Sequence, residues 1–132
     1  MLKESETNLV ALNNLAWLLG QKPDTAAEAL TLVERAIGTY GPRPELLDTR
    51  AIVQLNLGEV EKSLRDLERV TNEAPTPMRL FHLSRAYERS RNTTSALAML
   101  RQANEQGLTL RQLHPAEQVE YQRLTTELSK RQ

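Results

Sequence analysis

Apolar residues recur along this chain three and four positions apart, in segments of about a dozen to sixteen residues that end at Gly, Pro, Asn or Asp. That spacing is the period of an α-helix with one buried stripe, and it predicts seven helices. The first runs from about Ser5 to Leu19, carries Leu9, Leu12, Leu15, Ala16 and Leu19 on one face, and stops at Gly20. The second, about Thr25 to Thr39, presents Ala29, Leu30, Val33, Ala36 and Ile37 and ends in Gly41-Pro42-Arg43-Pro44. The third spans about Pro44 to Leu57, with a proline in the first turn, where its missing N–H costs nothing. The fourth, Glu59 to Glu73, runs into Ala74-Pro75-Thr76-Pro77. The fifth (about Pro77 to Ser90) and sixth (about Thr93 to Gln106) meet at Arg91-Asn92, and the last covers about Pro115 to Lys130.

The stripes repeat. Leu12, Leu47 and Leu80 align, as do Ala16, Ala51 and Ser84; Leu30, Leu64 and Leu97; Val33, Leu67 and Leu100; and Ala36, Val70 and Ala103. A recurrence near 34 residues, built of helix, turn and helix, marks a supersecondary unit that cannot bury its apolar face alone and must stack on neighbours. The small residues Ala16, Ala51 and Ser84 on first helices, with Ala29, Ser63 and Ala96 on second helices, fall where the two helices of a hairpin approach most closely.

At these positions the sequence resembles the tetratricopeptide repeat family. The third unit matches best, through Leu80, Leu83, Ser84, Tyr87, Asn92, Ala96, Leu100 and Ala103. The second supplies Leu47, Ala51, Gly58, Leu67 and Pro75 but has Arg50 where the family has Leu and Gln54 where it has Tyr; the first supplies Leu12, Leu15, Ala16, Leu19, Ala29, Val33 and Ala36. The resemblance implies one all-α domain over residues 1–132, a solenoid of three hairpins (about 9–43, 44–76 and 77–110) with a capping helix at about 115–130. Tyr121, Leu124 and Leu128 form the apolar stripe of that cap. It also implies the C-terminal segment of a larger bacterial multi-repeat protein.

Composition narrows the function. Seventeen basic and seventeen acidic residues cancel, removing the positive field on which nucleic-acid and anionic-membrane binders rely, so neither partner is expected. The absence of cysteine removes disulfides, thiolate metal sites and thiol chemistry, and two histidines far apart leave little for a metal or proton relay. There is no Gly-x-Ser-x-Gly elbow and no Gly-rich phosphate loop, and Asn92-Thr93-Thr94 is accounted for by turn chemistry. No enzyme, cofactor or metal is expected. The apolar stretch Leu9–Leu19 is interrupted by Asn13 and Asn14, which fits neither signal peptide nor spanning helix, and a soluble chain, cytoplasmic by preference, is expected. Residues 1–76 hold 12 acids and 8 bases and residues 77–132 hold 5 acids and 9 bases, a polarity that compositional drift accounts for.

The function expected from the resemblance is a non-catalytic scaffold that holds a protein or peptide partner in a concave groove lined by first helices. The groove candidates are Asn13, Trp17, Asp48, Thr49, Ile52, Leu55, Phe81, His82, Arg85, Glu88 and Arg89, with Trp17, Ile52, Leu55 and Phe81 as its apolar floor. The carboxylate clamp of some family members is not matched: the corresponding positions hold Asn13, Trp17, Thr49, Met78 and His82. Arg85 and Arg89, four apart, are a weaker anion-site candidate, with Glu88 beside them favouring an ion-paired face. Two alternatives stand beside the groove: the terminal helix folds back over these residues or an absent upstream repeat packs on them, or the chain is a structural cap or a self-associating element acting through an exposed first helix. The hairpin geometry predicts that Ala96→Leu lowers stability by about 1–3 kcal/mol through overpacking, read as a lower urea midpoint; an unchanged midpoint contradicts the placement.

Overall fold

The computed structural model describes residues 2–130, with side chains from Asn8 onward, and is all-helical over that range. The helices are α1 (Leu2–Gly20), α2 (Pro23–Tyr40), α3 (Pro44–Asn56), α4 (Val60–Glu73), α5 (Pro77–Arg89), α6 (Thr93–Glu105) and α7 (Pro115–Lys130), with a 3-10 turn at Leu110–Gln112. Their ends follow from local chemistry. Pro23, Pro44 and Pro77 open α2, α3 and α5, and the Thr76 hydroxyl and Asn92 carboxamide oxygen accept from the N–H groups of Arg79 and Ser95 at 3.2 Å. After α3 the chain turns through Gly58 at φ 84°, a left-handed conformation that a side chain would oppose. Gly20 has another role: it lies inside the last turn of α1, where an added Cβ would sit 2.5 Å from Val53 Cγ2, so its missing side chain lets α1 approach α3.

The chain divides into two compact units, residues 1–70 and 71–132. In the first, α1 packs on α2 and α3, and α2 packs on α3. Leu9 and Ala16 of α1, Val33 and Ala36 of α2 and Leu46 of α3 form one apolar cluster; Ala26, Ala29 and Val53 form another. Asn56 Nδ2 donates to the Gly20 carbonyl at 2.7 Å, tying the end of α3 to the end of α1. Arg50 of α3 grips Asp66 of α4 through a two-pronged ion pair at 2.8 and 2.9 Å.

In the second unit, α5 and α6 form a hairpin, and the chain returns through the 3-10 turn to place α7 against it. Leu80, Phe81, Leu97, Leu100, Ala103, Leu108, Leu113, Leu124 and Leu128 make its core, flanked by Met78, Met99 and Tyr121. Tyr121 donates to Asn104 Oδ1 at 2.7 Å, and the Gln118 amide donates to the carbonyls of Leu110 and Leu113, fastening α7 to α6 and to the turn before it. His114 Nδ1 accepts from the Ala116 N–H at 3.0 Å, at the start of α7.

All six small residues expected at the helix contacts have no exposed surface. Two of them form interhelical hydrogen bonds that mirror one another: Ser63 on α4 donates to the Ala51 carbonyl on α3 at 2.7 Å, and Ser84 on α5 donates to the Ala96 carbonyl on α6 at 2.5 Å. Ser63 and Ala96 are equivalent by the 33-residue shift, as are Ala51 and Ser84, so the same contact is closed from opposite sides. Ser84→Ala therefore costs about 1 kcal/mol in urea unfolding, and the swap Ser84→Ala with Ala96→Ser recovers most of it. A swap no more stable than Ser84→Ala contradicts the equivalence.

Candidate interaction surfaces

The residues expected to line the groove separate into three groups. On α1, Asn13 and Trp17 are half-buried and stay at the surface. On α3, Asp48 is half-buried, but Thr49 is 4% exposed and Ile52 and Leu55 are fully enclosed. The reason is that α3 is apolar nearly all round, with Leu46, Leu47, Ala51, Ile52, Val53 and Leu55 all buried, which is the pattern of an internal helix. On α5, Phe81, His82 and Arg85 are buried, Glu88 is half-buried and Arg89 is exposed. The apolar floor expected from Ile52, Leu55 and Phe81 is thus interior.

The closure of α5 is the work of α7. Phe81 meets Tyr121 edge to face, with ring centroids 5.6 Å apart, and the Arg85 guanidinium lies 5.9 Å over the Phe81 ring. Glu117 of α7 reaches the buried pair on α5: its Oε2 lies 2.8 Å from His82 Nε2 and accepts from Arg85 Nη1 at 2.9 Å. All three side chains are nearly sealed from water. Glu117 continues the stripe of Tyr121, Leu124 and Leu128 one turn back, so a carboxylate stands where an apolar residue would continue the pattern. At the edge, Arg123 of α7 binds Glu88 of α5 through both nitrogens and Glu120 at 2.6 Å. Glu88 is therefore paired with α7, and Arg85 is committed to Glu117 rather than joining Arg89 in an anion site.

Electrostatics explains why this charge is tolerated. Burial works against the Glu117 carboxylate, but the charge and hydrogen bond of His82, the charge of Arg85 and, more weakly, that of His114 outweigh it and hold its pKa below the ordinary 4.5. Burial lowers the Arg85 pKa, an effect the Glu117 carboxylate opposes.

What stays open is the outer face of α1. Val10, Leu15 and Leu18 are 57%, 47% and 54% exposed. Beside them lies a mostly apolar cleft of about 340 Å³, lined by Asn8, Ala11, Leu12 and Leu15 of α1 and Tyr40 of α2. The 35-residue shift that aligns Leu12 with Leu47 places Ala11 and Leu18 on Leu46 and Val53 of α3. Those two are completely buried against the α1–α2 hairpin, whereas Ala11 and Leu18 face outward. Among the described residues no group of three or more His, Asp or Glu could hold a metal ion, and no helix is long and apolar enough to cross a membrane.

Because the Glu117 pKa is lowered by folding, its contribution to stability is present above the ordinary carboxylate pKa and is lost as pH falls through the folded value. Glu117→Gln leaves the buried Arg85 without its counter-charge and should cost about 3–5 kcal/mol at neutral pH. The gap between wild type and variant in urea unfolding should shrink as pH drops below 4.5. A gap that is absent, or that widens with acid, contradicts the assignment.

No family model matches the chain and no curated protein matches it either; what it does has to be read from its own surfaces.

Proposed function

We propose that this chain is a non-catalytic protein-interaction module of the tetratricopeptide type, and that it takes an amphipathic helix of a partner on the outer face of α1. The single observation behind the reading is the inequality of equivalent positions: Leu46 and Val53 of α3 are buried by a preceding helical hairpin, while Ala11 and Leu18 of α1 present the same stripe to solvent. Ala11, Leu15 and Leu18 follow the i, i+4, i+7 ridge that seats a second helix, and Tyr40 borders the adjoining cleft. A helix that stacks on this ridge gains the burial that α3 already has. The three-fold recurrence of the hairpin stripe supports the family reading, as do the buried small residues at its helix contacts.

The natural probe is α2 itself, whose Ala26, Ala29, Val33 and Ala36 already cover the equivalent stripe on α3. A labelled peptide of residues 23–40 should bind the full chain saturably. Leu15→Asp with Leu18→Asp should weaken that binding by at least about tenfold while leaving the helical circular dichroism unchanged. Equal binding by wild type and variant, or none by wild type, contradicts the proposal.

A further inference from the structure

We propose that a second, polar cleft on the first unit, lined by Glu34, Arg50, Gln54, Lys62, Arg65 and Asp66, binds an acidic peptide segment. It shares no lining residue with the α1 cleft, and the inference does not rest on the function proposed above. The cleft measures about 320 Å³ and is bordered by α2, α3 and α4.

Its origin lies in two departures from the repeat pattern. Arg50 is equivalent to Leu15 and Leu83, and Gln54 to Leu19 and Tyr87. An aliphatic and an aromatic side chain at these two positions would fill the space. Instead, Asp66 holds the Arg50 guanidinium in a two-pronged grip at 2.8 and 2.9 Å, with the charge of Glu34 acting on it as well, and the volume beside it stays open. Gln54 is 5% exposed, and its Oε1, shielded from water, has no hydrogen-bond partner. A buried amide oxygen without a donor bears its full desolvation cost, so a ligand that supplies an N–H gains more here than at the open surface.

The charges select the rest of the ligand. Lys62 and Arg65 are exposed, and the contact of Lys62 with Glu59 is long at 3.9 Å, so it exchanges readily for a ligand carboxylate. Arg50 is already occupied by Asp66 and contributes field rather than hydrogen bonds. An ionised phosphate offers only acceptors and cannot satisfy Gln54 Oε1. A peptide carries both functions a few ångströms apart: a backbone N–H for Gln54 and an acidic side chain for Lys62 and Arg65.

The test is fluorescence anisotropy of a labelled Gly-Asp-Glu-Asp-Gly peptide with the full chain at low ionic strength. Saturable binding is expected, weakened at least about tenfold by Lys62→Glu with Arg65→Glu. Arg50→Leu with Gln54→Tyr, which restores the repeat pattern, should abolish it, with a lower urea midpoint because the buried Asp66 loses its partner. Should that variant not fold, Gln54→Leu, similar in size and without the amide, should still weaken binding about fivefold. Leu15→Asp with Leu18→Asp should leave it unchanged, which separates this site from the α1 face. Absence of binding, equal binding by the Lys62/Arg65 variant, or displacement of the peptide by an equal concentration of inorganic phosphate would each overturn the proposal.

Discussion

The constraint on which the rest depends is how closely two helices can approach. Ala16, Ala29, Ala51, Ser63, Ser84 and Ala96 have no exposed surface, and two of the contacts are closed by a serine hydroxyl donating to the facing helix. Larger side chains there would separate the helices and strip the flanking leucines of their dispersion contacts. Gly20 extends the same logic from hairpin to hairpin, since its missing Cβ is what Val53 occupies. Each unit is thus organised by the positions that contribute least bulk, and the large apolar residues follow.

Given that frame, the distribution of accessible surface follows from which stripes find a partner. In the second unit α7 meets α5 with an apolar core and a buried carboxylate flanked by His82 and Arg85, so that face is spent internally. A helix displaced by one turn would leave the buried Arg85 without the Glu117 carboxylate, which penalises that packing. In the first unit α3 is enclosed, while α1 keeps an apolar ridge in water and the polar substitutions Arg50 and Gln54 keep a cleft open.

Much of this was legible in the chain itself. Proline at helix starts, glycine after them and the three–four spacing place the helices to within about three residues, because these signals act locally. The small-residue positions were readable from the recurrence alone. The groove was not. Periodicity says that α3 is apolar on several sides, but not whether protein or water meets Ile52 and Leu55. Phe81, His82 and Arg85 look like surface residues until α7 is laid over them. Glu117 was the available clue, since it lies on the stripe of Tyr121, Leu124 and Leu128, yet a lone glutamate at the start of a helix is also what the helix dipole favours. The open cleft at Arg50 and Gln54 was visible only as a break in pattern, because its volume depends on where Asp66 draws the guanidinium.

Hydroxyl-radical footprinting of the folded chain, read residue by residue by mass spectrometry, tests the central claim most directly. The account predicts strong labelling of Val10, Leu15 and Leu18, with Ile52, Leu55 and Phe81 protected until the protein is unfolded. Rapid labelling of Ile52, Leu55 and Phe81 in the native state, with α1 protected, would contradict it.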